Sequence, residues 1–166
     1  MIVKRHIEKD LKRLQALYTD SIAGPDADIP IYFSKLAVLE LAGWIEDAFD
    51  LIAARAVKHR VKSTKFDKLA KSTIKRNHGF AYDGNFLTMM AGLIGLPECE
   101  QLEQYLDSDG SLSILTSELD AIVNQRRVAA HVALAHTTVG FDSPSVSLGR
   151  LAKIHPIARD IYSWFC

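Results

Sequence analysis

The sequence predicts an all-α fold, an up-and-down helical bundle with extra short helices. Three observations carry this: apolar residues recur at helical spacing almost throughout, strand-like alternation is scarce, and Gly or Pro clusters come at long intervals. A first helix is expected over residues 4–19, followed by the loop "AGPDADIP" with Pro25 and Pro30 as breakers. The run "IYFSKLAVLELAGWIEDAFDLIAARAVKHRV", residues 31–61, is long and apolar on most sides at its centre, which suits the central helix of a bundle. Glu40, Glu46, Asp47 and Asp50 interrupt it. A shorter basic helix follows over residues 66–75, then the loop "RNHGFAYDGN" and a helix within "FLTMMAGLIG". Pro97 suits the first position of the next helix, residues 98–106, and "DSDGS" then breaks the chain. A long helix is expected over residues 112–135, with Ser111 or Ser113 as its cap and Glu118 and Asp120 favourably placed near that end. After the loop "TTVGFDSPS" a last helix begins near residue 146 and runs to the terminus; Pro156 is expected to kink it or break it in two.

A length of 166 residues is about one domain, so residues 1–166 are read as a single helical unit. No internal repeat or low-complexity tract divides it. Lys plus Arg (20) equals Asp plus Glu (20), so any attraction to a polyanion must come from local arrangement rather than net charge. Cys99 and Cys166 form no CxxC and no metal-ligand pattern, and a reduced, cytoplasmic protein is the simpler expectation. The start "MIVKRHIEKDLKRL" lacks the apolar stretch of a signal peptide. The longest nearly uncharged run, "FLTMMAGLIGLP", is too short to span a bilayer, so no membrane partner is expected. There is no HExxH, Cys/His cluster or carboxylate pair, no P-loop or GxGxxG, and no nucleophile elbow, so neither metal nor cofactor is expected.

The chemistry concentrates in "NQRRVAAHVALAH", residues 124–136. Charge on an apolar helix is costly unless it is paired or used. Arg127 and His131, four apart, are helical neighbours, whereas Arg126 and His131, five apart, lie on different sides. Bringing Arg126 and His131 together requires the reach of the arginine, a helix distortion, or a second copy of the helix in a dimer. The pair suits attack by an RNA 2'-hydroxyl on its neighbouring phosphate. His moves a proton near neutral pH, and Arg stays charged and stabilises a crowded phosphate. Spacing alone equally allows a satisfied core histidine beside a solvated helix end.

The stretch "ELDAIVNQRRVAAHV" resembles the motif helix of HEPN domains, whose core reads Arg, a polar residue, two variable residues, Ala and His; Arg126, Arg127, Ala130 and His131 fall on those positions. The upstream "YDGNFLTMMAGLIGLPECEQLEQYL" and "SILTSELDAIV" resemble the RiboL-PSP type and related bacterial HEPN families, and "LAVLELAGWIEDAFDLI" is similar to their early helix. The likeness runs from about residue 31 to the C-terminus. It implies a helical bundle that forms a homodimer with a shared cleft. The implied activity is metal-independent endoribonuclease, a hydrolase-type function of toxin–antitoxin and antiviral-defence systems, with an antitoxin or defence-system protein as partner. His131 would be the acid/base and Arg126 the phosphate stabiliser. Arg127 departs from the Asn, Asp or His usual at its position and adds a charge suited to RNA. Some HEPN domains are non-catalytic and bind RNA or a protein partner, which is the alternative function.

The run from Arg55 to Gly79 holds Arg55, Lys58, Arg60, Lys62, Lys65, Lys68, Lys71, Lys75 and Arg76 against the single acid Asp67. It is a candidate track for an RNA backbone, with Arg55, Lys58, Arg60, Lys62 and Arg76 as the contacts; a solvated helix face is the plainer alternative. Phe80 and Tyr82 are candidates for stacking on bases or for core packing. Among the acids of the central helix, Glu40 has the most apolar surroundings and is the expected buried partner of Arg126 or Arg127. His136 reads as helix-end stabilisation and His155, before Pro156, as the mark of a kink. His6, His59 and His78 read as surface residues.

Overall fold

The computed structural model describes residues 1–58, 60–131 and 140–166, without the side chain of His131. Among these residues there are seven α-helices and no strand: α1 (Arg5–Ile22), α2 (Asp28–Val57), α3 (Thr64–Arg76), α4 (Thr88–Ile94), α5 (Leu96–Asp107), α6 (Ser111–His131) and α7 (Pro144–Trp164). The all-helical expectation therefore holds. None of the described helices is long and apolar enough to cross a membrane.

The 30-residue α2 is the axis of the bundle, packed against α1, α6, α7, α3 and α4. Its buried residues, among them Leu41, Ile45, Phe49, Ile52 and Ala56, leave only part of its circumference to water. Phe49 meets Phe86 with ring centroids 4.3 Å apart, and Phe86 in turn meets Tyr82. One cluster of buried apolar side chains draws on residues from Ile2 to Phe165.

Pro30 acts differently from expectation, and of the two outcomes expected of Pro156, a kink or a break, the break does not occur. Pro30 lies inside the first turn of α2, which begins at Asp28; backbone N–H groups there have no intrahelical partner, so the missing donor is harmless. Pro156 sits within α7 without dividing it. Both Pro156 and Ala152, whose carbonyl loses its helical donor, are exposed, so water can satisfy that carbonyl. At the start of α6 the work expected of Ser111 or Ser113 falls to Asp109, whose carboxylate accepts the Ser111 N–H at 3.0 Å. Glu118 is engaged with Arg150 and Lys153 of α7. The expected tail of this helix, residues 132–135, lies outside the described residues, as do His59 and His136.

Between α3 and α4 the chain makes one wide π-helical turn, Tyr82–Leu87. Asn85 within it holds the preceding loop. Its amide donates to Asn77 Oδ1 (3.3 Å) and the His78 carbonyl (3.4 Å), and its oxygen accepts the Ala81 N–H (3.2 Å). Gly79 has φ +130°, and a Cβ there would lie 2.9 Å from Asn85 Oδ1, so both backbone and space require glycine. This clamp fixes the His78 backbone, and the His78 charge acts on the Asp50 carboxyl of α2.

Candidate active site

The site begins with the register of α6. Leu115, Leu119 and Ile122 form its buried row, and four residues on from Ile122 that row reaches Arg126 before returning to buried Ala129. Arg126 thus occupies a core-facing position near the end of the bundle. Its Nη2 lies 3.5 Å from Glu46 Oε1 on α2, with the two side chains 43% and 33% exposed. Glu46, not Glu40, is the partner. Glu40 is exposed because its position on α2 turns away from α6 towards the α1 side, where it lines a groove with Asp10 and Leu36. Arg127 is exposed, and no carboxylate among the described residues pairs with it.

α6 is regular through both Arg126 and His131, so no distortion of the described helix brings the two positions onto one side. Five residues of α-helix separate them by about 140° in rotation and about 7.5 Å in rise.

The neighbouring α7 is tied to this end of α6. The Asp142 N–H donates to Gln125 Oε1 at 3.3 Å, and Arg150 Nη2 donates to Asp142 Oδ2 at 2.6 Å. Arg150 also lies 4.0 Å from Glu118, which Lys153 bonds as well. These links hold the turns of α6 that precede Arg126 against α7 and the residues just before it.

On the other side of Arg126, α2 carries Glu46, Asp47 and Asp50. Burial, then the charges of Asp47 and Glu46, push the Asp50 carboxyl above the usual aspartate range, while His78 acts the other way. Asp47 and Asp50 form one wall of a groove of about 590 Å³ between α2 and α3, with Lys71 and Lys75 opposite and Leu51, Ala54 and Ile74 between. Because its folded-state pKa is raised, Asp50 binds its proton more tightly folded than unfolded. Stability is thus lost as pH rises from the ordinary aspartate value through the raised one. Asp50→Asn is therefore expected to raise the melting temperature at pH about 7, with the gain shrinking towards pH about 3.5. Equal gains at both pH values in calorimetry would rule out charge as the cause.

Of the five cations considered for an RNA track, Lys58, Arg60, Lys62 and Arg76 are exposed. Arg55 lies 5.6 Å over the Tyr162 ring. Arg60 bonds Glu98 at 2.6 Å and lies 6.0 Å over the Phe165 ring. These two are committed to holding α2 and its following turn against α5 and α7. Phe80 and Tyr82 are buried, at 2% and 4% exposure, so they pack the core and are not open to bases. His155 is half-buried, 6.1 Å from Trp44, with its pKa lowered chiefly by burial. His6 and His78 are exposed. Two features escaped the sequence reading: Glu46 as the partner of Arg126, and the exposure of Phe66 and Leu69 on α3. The second had a legible signal, since the two are three apart and framed by lysines.

Compared with protein-family models, with curated proteins and with solved structures, the chain matches none.

Proposed function

We propose that the chain is a HEPN-type, metal-independent endoribonuclease that acts as a homodimer in the cytoplasm, as a toxin or an antiviral-defence effector. Arg126 stabilises the phosphate and His131 transfers the proton. The observation that carries this reading is a permanent charge on the core-facing row of α6, held by Glu46 and still open to water. An ion pair this exposed contributes about 1 kcal/mol or less to folding, whereas an apolar residue would continue the row at no desolvation cost. Chemistry is the simplest reason to keep a guanidinium there.

The reaction needs two groups. His131 takes the proton of a 2'-hydroxyl, whose oxygen attacks the adjacent phosphorus and displaces the 5'-oxygen of the next nucleotide, and the protonated imidazole returns the proton to that leaving oxygen. Arg126 neutralises the charge on the phosphoryl oxygens. Since one regular α6 sets the two positions about 140° apart, a second copy of the helix is the natural source of the missing member. Exposed Arg127 adds positive charge at the mouth of such a cleft.

The test is cleavage of single-stranded RNA in the presence of a chelator, with the products examined for 2',3'-cyclic phosphate ends. Arg126→Ala is expected to slow turnover by about 10²–10³-fold with helix content unchanged. Undiminished cleavage by that variant would remove Arg126 from the mechanism. A non-catalytic module that binds RNA or a protein partner is the second reading, favoured by Arg127 at a position where the family carries Asn, Asp or His; it predicts RNA binding without cleavage.

A further inference from the structure

We propose that the outer flank of α3 is a contact for single-stranded RNA in which Phe66 stacks on a base while the surrounding lysines hold the backbone. The RNA chemistry rests on the reading above, but the contact itself is one that no part of that reading assigns.

Phe66 and Leu69 are 56% and 55% exposed. Their three-residue spacing sets them on one flank of α3. The helix docks on the bundle through buried Ala70 and half-buried Ile74, which continue the four-residue row that starts at Phe66, so Phe66 stands at the edge of the docking side and Leu69 on the outer flank. More than half of each of these two large apolar side chains nevertheless stays in water. Lys65 and Arg76, four before and seven after Leu69, are exposed on its flank, with exposed Lys68 also on the helix and Lys62 just before it; Asp67, the one acid of α3, has its carboxylate taken by Lys71 at 2.8 Å, and Lys71 and Lys75 face the groove that Asp47 and Asp50 line. A half-exposed aromatic ring on a helix rich in exposed cations matches a partner with both phosphates and flat apolar faces. Single-stranded nucleic acid has both, and stacking on an aromatic ring tolerates any base sequence.

The distribution along the helix argues against a lipid surface. An interfacial helix carries its apolar strip along its whole length. Here the apolar row from Phe66 turns into the bundle at Ala70 and Ile74, so only Phe66 and Leu69 reach solvent, one turn of exposed strip, while the cations run from end to end.

The experiment measures binding, not cleavage. The full chain is titrated against a fluorescently labelled single-stranded RNA of mixed sequence and, separately, against vesicles rich in phosphatidylserine. Phe66→Ala is expected to weaken RNA binding by about 10-fold, with Phe66→Trp retaining it and its indole fluorescence quenched on binding. Lys65→Ala with Lys68→Ala is expected to weaken binding and flatten its salt dependence. Unaltered RNA affinity in Phe66→Ala, or no RNA binding by the wild-type chain, overturns the contact. So does loss by Phe66→Ala of vesicle binding alone. Phe66-dependent binding by a chain that cleaves no RNA leaves the contact standing and removes the nuclease. Normal cleavage with Phe66→Ala indistinguishable from wild type does the reverse.

Discussion

Replacing His131 by Ala is expected to slow RNA cleavage by about 10²–10⁴-fold near neutral pH, the range a positioned acid/base group supplies. Helix content, melting temperature and dimer formation should be unchanged. The informative step is to mix two inactive chains. If Arg126 of one copy serves with His131 of the other, a mixture of Arg126→Ala and His131→Ala chains contains heterodimers with one complete site, and activity returns. If both residues of a site came from one copy, each heterodimer would hold two defective sites and the mixture would stay inactive. Regularity of α6 through both positions makes the first outcome the expected one. Full cleavage by His131→Ala alone would end the proposed mechanism. A dimer lost together with activity would instead assign His131 to the interface.

The largest effect on stability is expected from Phe49→Ala. Phe49 is 1% exposed on the central helix, and its ring lies 4.3 Å from that of Phe86, which is fully buried. Removing it deletes buried hydrocarbon and leaves a cavity that rigid helices close only in part, at about 3–5 kcal/mol. For a chain of this size that is a fall of roughly 6–20 °C in melting temperature. The effect should extend beyond α2, because Phe86 belongs to the π-helical turn whose Asn85 holds the loop at Asn77 and His78. Phe49→Leu refills part of the space and should recover much of the loss. A change in melting temperature near zero for Phe49→Ala would mean that the contact between α2 and this turn does not support the fold.

The helices were legible in the sequence because apolar spacing is a local property: α1, α2, α3, α5 and the last helix lie within a few residues of the expected spans. What was missed depends on partners distant in the chain. Pro30 and Pro156 are breakers only where the lost donor or stranded carbonyl has no other recourse. The first turn of α2 and the exposed side of α7 provide that recourse. Glu40 stands in the more apolar stretch of sequence, yet the rotation of α2 against α6 decides which acid meets Arg126, and it selects Glu46. The π-helical turn and the Asn85 clamp arise from hydrogen bonds spanning residues 77–85 and leave no periodic trace. Arg126 and Arg127 were both visible in the sequence. Their different fates, one against Glu46 and one in water, required the register of the helix.

That register also bears on how such a chain would decay. Leu115, Leu119, Ile122 and Ala129 would accept a leucine or methionine between them at position 126, and the bundle end would then close with hydrocarbon. Glu46 would lose its partner and become free to drift to any residue that water tolerates. A duplicated copy released from its task would therefore reveal itself first at positions 126 and 46, by becoming better folded.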